Sequence, residues 1–333
     1  MAKSLISKTE FGIYCAAGDF YIDPHRPVPR AVITHGHADH ARAGHGAVLA
    51  TGETLDIMRI RYGETFAGAT QKLTDPIRLG GVDLRLVPAG HVLGSAQVVI
   101  EKGGRREVVS GDYSRVANPA CAPFEPVPCD LFVTEATFAL PVFRHPDPLN
   151  EINRLLASVR RFSERAHIVG AYALGKAQRV IMLLRQAGYS EPVYIHGALQ
   201  ALCDYHLSQG IALGDLRPAT METAQARALH GAIIIAPPSA FGSAWVQRFA
   251  DPVIAFASGW MQIRAHARRR GVELPLVISD HVDWPDVTRT IRQVDPQELW
   301  ITHGREEALM RWAVLEGRHA RPLHLLGYDE EPE

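Results

Sequence analysis

The chain has 333 residues, 47% of them hydrophobic and 21% charged, with a formal net charge of −1. That leaves ample material for a large core and excludes a protein whose bulk charge announces nucleic-acid binding, so a nucleic-acid role must rest on local charge and on metals. The four cysteines, Cys15, Cys121, Cys129 and Cys203, contain no C-x-x-C pair and read as reduced thiols, not as a disulfide framework. The N-terminal MAKSLISKTE lacks a charged-then-apolar pattern, and no apolar run of about 18 residues or more occurs, so the expectation is a cytoplasmic protein with no membrane partner.

The first part of the chain reads as short strands closed by Gly, Pro or Asp. They are Phe20–Ile22, Ala31–Thr34, Val82–Val87 with period-two alternation, Ala96–Ile100, Glu107–Ser110 and Leu131–Thr134, with a helix over Glu53–Arg61. After a Pro-rich joint at 140–148 the texture changes to strand–helix alternation. An amphipathic helix over Leu149–Ala166 precedes strand His167–Ala171, helix Lys176–Ala187, strand Val193–His196, helix Gly197–Ser208 and strand Ala232–Ala236. Such alternation with short loops implies a parallel sheet. The last third returns to strands Leu276–Ile278 and Glu298–Thr302 around a helix over Trp284–Val294. Two segments of one texture flanking a block of another suggest an inserted domain.

Histidine is the unusual residue, with 16 in the chain. In His35-Gly36-His37-Ala38-Asp39-His40, four ligand-type side chains sit directly after an apolar strand, with small residues between. A turn at a strand end can fan these side chains around a point, which a helix cannot. Imidazole with carboxylate is the ligand set of zinc and its borderline relatives. His91, Asp112 and His303 each follow an apolar strand beside a glycine, as a site at one rim of a sheet requires. His45, His145, His167, His206, His230 and His319 have no such context and read as structural.

The set resembles the metallo-β-lactamase fold, whose motifs run strand-end Asp, H-x-H-x-D-H, His, Asp and a late His. The resemblance makes Asp23 the first motif, holding the metal-binding turn from behind. It implies two divalent metal ions, zinc with manganese as the alternative. His35, His37 and His91 would hold one, Asp39, His40 and His303 the other, and Asp112 would bridge them. Two further strand ends, Glu135 in Val133–Phe138 and His281 in Ile278–His281, flank the α/β block and resemble motifs of the β-CASP nucleases. The implied architecture is an αββα metallo-β-lactamase sandwich from residues 1–139 and 276–333, with an inserted α/β β-CASP domain over 140–275. The implied chemistry is attack on phosphorus by hydroxide held at the metals, with Asp39, Glu135 and His281 catalytic, His281 as general acid and Glu135 orienting it.

Tyr172, Gly175 and Lys176 run from a strand through a glycine turn into a helix, and a helix N-terminus with a lysine is a ready phosphate site. In β-CASP nucleases a similar segment faces the active site, which makes these three candidate phosphate-binding residues. The cluster Arg264–Arg270 either tracks a nucleic-acid backbone or is a solvated helix face. His303 as the last ligand is the residue found in the RNA-processing members. The compact length, Gly18–Pro24, His35–Arg42 and the Tyr172–Gln178 segment look most like the bacterial ligase-associated DNA damage response exonucleases. The expectation is therefore a metal-dependent DNA exonuclease of repair, acting on single-stranded or duplex-end DNA. The implied partners are an ATP-dependent DNA ligase and a DEXH-box helicase. The alternative is an RNA-processing ribonuclease, of the mRNA 3′-end or RNase J kind.

Overall fold

The computed structural model describes residues 4–220 and 229–325, which form two compact units: 4–144 with 281–325, and the described part of His145–Asp280. In the first unit two sheets share a core. One is ordered β1 (Ile6–Thr9), β2 (Gly12–Cys15), β3 (Phe20–Ile22), β4 (Arg30–Val32), β5 (His45–Ala50) and β6 (Ala67–Lys72). The other is ordered β19 (His319–Pro322), β18 (Glu298–Gly304), β11 (Leu131–Ala136), β10 (Arg105–Val109), β9 (Ala96–Lys102), β8 (Val82–Pro88) and β7 (Ile77–Leu79).

Alternation along the strands explains the layering, because every second side chain points to the same face. Ile13, Ile22 and Val32 of the first sheet meet Leu84, Val98 and Val133 of the second in one core. Helix α1 (Gly52–Tyr62) covers the outer face of the first sheet, bringing Leu55 and Met58 onto Ala31 and Val48. Its start is fixed by Thr51, whose side chain accepts from Thr54 N. Helices α6 (Trp284–Val294) and α7 (Glu307–Leu315) cover the second sheet, with Val287, Ile291 and Leu309 on Val108, Phe132 and Leu299. The layers are helix, sheet, sheet, helix.

The second unit has one sheet, ordered β14 (Leu216–Pro218), β13 (Val193–Ile195), β15 (Ile233–Ala236), β12 (His167–Gly170), β16 (Val253–Ala257) and β17 (Leu274–Leu276). All its pairings are parallel. Helices α2 (Pro148–Arg161), α3 (Lys176–Gln186) and α4 (Gln200–Ser208) lay Ile152, Val180 and Cys203 on one face, against Val169, Ile195 and Ile233. Trp245 and Phe249 cover Ile168 and Ile234 on the other, and a short α5 (Arg264–Arg269) packs Ala267 near Phe256. Parallel strands put all their carboxyl ends at one edge, so the loops after β12 and β17 leave the same edge of the sheet, with β16 between them.

Among the elements expected from sequence, two have shifted bounds with a visible physical cause. The helix expected to reach Ala166 stops at Arg161, because Phe162 leaves helical geometry at φ −120° and Arg165 N bonds Phe162 O in a turn. The strand expected at 276–278 lies at Leu274–Leu276 instead. No helix among the described residues is long and apolar enough to cross a membrane.

Candidate metal centre

The turn His35–His40 follows β4 and is closed by His40 N and Ala41 N, both donating to His37 O. Behind it Asp23 accepts from Thr34 N at 2.8 Å, from Thr34 Oγ1 at 2.6 Å and from His40 Nδ1 at 2.8 Å. These bonds decide two tautomers. The single Thr34 hydroxyl proton goes to Asp23, so Thr34 Oγ1 accepts from His35 Nδ1, 3.0 Å away. Both rings are therefore protonated at Nδ1, and each directs Nε2 forward, the arrangement a ligating histidine needs. Asp23 lies close to His35 and His40, but its oxygens face these hydrogen-bond donors, which makes it the support of the turn.

Forward of the turn, His35 Nε2 and His91 Nε2 lie 3.1 and 3.0 Å from His37 Nδ1. Zinc–nitrogen bonds of about 2.0–2.1 Å at tetrahedral angles put ligand nitrogens about 3.3 Å apart. The ligand atoms of His35, His37, His91 and Asp112 all lie within 4.8 Å of one another. Three imidazole nitrogens and a carboxylate converging on one point are the donor set of a divalent cation. Asp112 Oδ2 is 3.5 Å from His35 Nε2, 3.5 Å from His40 Nε2 and 3.8 Å from His91 Nε2, so one oxygen faces both candidate ligand groups. On the second side His40 Nε2 is 3.6 Å from Asp39 Oδ2, and the His303 ring stacks on His40 at 5.1 Å. Asp39 Oδ1 is buried with no hydrogen-bond partner, as a carboxylate facing a cation would be.

The electrostatics agree. Burial pulls His40 down, but Asp112 and Asp39 outweigh it and hold its pKa well above the ordinary histidine value. Burial pushes Asp112 up, yet His40 and the hydrogen bonds of His35 and His40 hold it well below the usual carboxylate range. Burial, helped by the charge on His40, pushes His303 down to about 4, so that ring is neutral and a competent ligand at pH 7. The site concentrates negative potential on a point that positive charge satisfies.

His303 reaches this point through a β-bulge. The parallel register pairs Glu135 with Thr302 and Ala136 with Gly304, so the register skips His303, which takes φ 54°. A bulge re-aims a side chain that a regular ladder would turn away. Across the sheet, Glu135 is 1% exposed and grips His281 Nδ1 with Oε2 at 2.8 Å. Tyr113 N donates to Glu135 Oε1 at 2.8 Å and Thr137 Oγ1 to Oε2 at 2.7 Å. Burial raises the Glu135 pKa, His281 opposes this, and Asp112 adds to it. The His281 ring lies 4.7 Å from that of His91. Thus the first unit brings together Asp23, His35, His37, Asp39, His40, His91, Asp112, Glu135, His281 and His303.

Tyr172, Gly175 and Lys176 belong to the second unit. Gly175 takes φ 83° and caps α3, its N–H donating to Gln178 Oε1 at 2.8 Å, while Tyr172 is half-buried. The Lys176 side chain is 6% exposed, and its ammonium sits 3.0 Å from Asp280 Oδ2 and donates to Ile278 O at 3.0 Å. The geometry thus differs from the expected phosphate site: an ion pair and a carbonyl take up the lysine expected to meet a phosphate. Sequence reasoning also passed over Thr34, Ser95 and Asn118. Ser95 Oγ accepts from His91 N at 3.1 Å, and Asn118 Nδ2 donates to His91 O at 3.0 Å. Thr34 carried a readable signal, a polar residue closing an apolar strand directly before a candidate ligand.

No family model matches the chain. It is 28% identical to a probable DNA ligase of Opitutus terrae over 92% of its own length and 31% of that protein's. It is 26% identical to endoribonuclease YSH1 of Mycosarcoma maydis, over 53% of this chain and 25% of the relative. An RNase J-like protein of Methanocaldococcus jannaschii matches at 22% identity over 52% of this chain and 48% of its own. These relatives support a likeness of the chain to the metallo-β-lactamase-fold β-CASP nucleases. It spans less than a third of the ligase and less than half of the other two relatives. A crystal structure of a protein of unknown function from Enterococcus faecalis shares the fold, with TM-score 0.54 and 13% identity over 82% of this chain and 74% of that one.

Proposed function

We propose that the chain is a metal-dependent phosphodiesterase that degrades DNA from an end, in repair. The observation that carries this reading is the pair of buried Glu135 with partly exposed His281, set beside a cluster of seven candidate ligands joined through Asp112. A hydrolase needs the ligand cluster; an ester with a poor leaving group also needs a proton donor, and the pair supplies one. His35, His37, His91 and Asp112 would hold one divalent cation, and Asp39, His40, His303 and Asp112 a second, zinc by the nitrogen-rich donor set with manganese as the alternative. Two such ions lower the pKa of water and offset charge on a phosphodiester. Glu135 fixes the His281 ring through Nδ1, so the proton passed to the leaving oxygen is the one at Nε2. Asp23 and Thr34 hold His35 and His40 in the ligating tautomer. In this reading His145–Asp280 is the inserted β-CASP domain.

DNA is favoured because the relative matched over 92% of this chain is named a probable DNA ligase, which also supports a ligase as partner. A DEXH-box helicase as partner rests on the family resemblance alone. A second reading, an RNA-processing nuclease, is favoured by His303 and by the endoribonuclease relatives. End-labelled DNA and RNA of one sequence, with and without a 5′-phosphate, separate the two when incubated with zinc- or manganese-loaded protein. Stepwise shortening of DNA supports the first reading and cleavage of RNA alone the second. Failure to cut either, with both metals bound, removes both.

A further inference from the structure

The second unit commits buried charge to four residues of irregular backbone. After β17 ends at Leu276 the chain has no ladder to hold it, yet each residue from 277 to 280 is tied to a charged side chain. Val277 N donates to Glu151 Oε2 at 2.8 Å, and Lys176 Nζ donates to Ile278 O at 3.0 Å. Arg179 Nη1 donates to Ser279 O and, at 2.8 Å, to Asp280 Oδ1, while Lys176 pairs with Asp280 Oδ2. The side chains of Lys176, Arg179 and Asp280 are 6%, 1% and 4% exposed. Buried ion pairs of this kind add little net stability over an apolar replacement, but they fix geometry strictly, since breaking one strands the other charge. None of these charges belongs to the ligand set or to the Glu135–His281 pair.

The next residue in the chain is His281. On its other side Val282 N bonds Tyr113 O at 2.9 Å and Asp283 bridges to Phe138. Its imidazole must meet Glu135 Oε2 at hydrogen-bond distance, and an error of about 1 Å in a reacting group costs about 10²-fold in rate. We propose that Lys176, Arg179 and Glu151 are positioning residues for His281, a clamp that sets the backbone entering the proton donor. The inference rests on the proposed role of His281. It also explains why the lysine of a helix N-terminal turn is buried. α3 and the 277–280 loop meet because both leave the carboxyl edge of one parallel sheet.

The chemistry of the leaving group tests this. A DNA phosphodiester departs as an alkoxide and needs the proton of His281; a p-nitrophenyl phosphodiester departs without one. Lys176→Met and Arg179→Lys are measured on both esters, with folding checked by circular dichroism and metal content by elemental analysis. The expected result is a fall of about tenfold or more in kcat on DNA relative to the aryl ester, unchanged metal content, and recovery of the wild-type ratio in Lys176→Arg. Where one variant fails to fold, the other carries the same ratio. An unchanged ratio overturns the clamp, as does a rise in KM of equal size on both esters, which marks Lys176 as a phosphate ligand. A metal-loaded wild type inert on both esters removes the proposed function and this inference with it. A wild type active on both, with variants at the wild-type ratio, removes this inference alone.

Discussion

At His303 a β-branched or bulky residue could not take the left-handed backbone that the bulge imposes without strain, and histidine itself bears about 1–2 kcal/mol of it. Asparagine adopts that conformation more readily. His303→Asn is therefore expected to leave the thermal stability of the metal-free protein unchanged or higher, while one of two metals is lost and turnover falls about 100-fold or more. A variant with full metal content and full activity would show that His303 is not a ligand. Thr34 acts one step behind the site. Thr34→Val keeps the shape but removes the hydroxyl that sets the His35 tautomer, and metal affinity should fall about 10- to 100-fold in competition with a chelator. Unaltered affinity would place the tautomer under some other control. Glu135→Gln should leave metal content unchanged and lower kcat on DNA by about 10²- to 10⁴-fold, and equal rates for variant and wild type would exclude a role for the Glu135 carboxylate in proton transfer.

Elements show which parts of the fold the sequence could announce. The helix over Trp284–Val294 is found at the residues expected, because Asp283 caps it, Pro285 suits its first turn and its apolar stripe is regular. The strand Ala67–Lys72 was not anticipated. Its six residues are nearly all exposed and carry no alternation, so only pairing with β5 makes it a strand. The strand expected at 276–278 slid because Val277 and Ile278 look like ladder residues, while distant charges at Glu151 and Lys176 claim their backbone. The turn of candidate ligands was legible because its side chains are local in sequence, and Asp112 and His91 as candidates because each closes an apolar strand. The bulge at His303 was not, since it depends on the register of a strand from the other end of the chain. Gly111 belongs at this scale. At φ 58° a Cβ there would lie 2.7 Å from Thr34 Oγ1, so Gly111→Ala should cost about 1–3 kcal/mol and show as a lowered Tm. A wild-type Tm would mean that β10 and the metal turn tolerate separation.

For the whole molecule the sharpest expectation concerns the metals as part of stability. Ligands that bind only the folded state stabilise it by mass action, about 2.7 kcal/mol at 100 times Kd. Dialysis against a chelator should lower Tm by several degrees and abolish hydrolysis, and returning zinc or manganese should restore both. A Tm indifferent to chelation would mean that the histidine cluster is not a strong cation site.

The parallel pair β11–β18 has a consequence for synthesis. Leu131 lies beside Glu298, so the strand that carries His303 can join its neighbour only after the whole of 145–280 has left the ribosome. Until then β11 presents an open edge, and the Asp39–His40 side of the site lacks its last candidate ligand. A chain stopped anywhere before residue 298 would hold at most a partial cation site. In a growing polypeptide the full set of candidate ligands would therefore come together late and all at once.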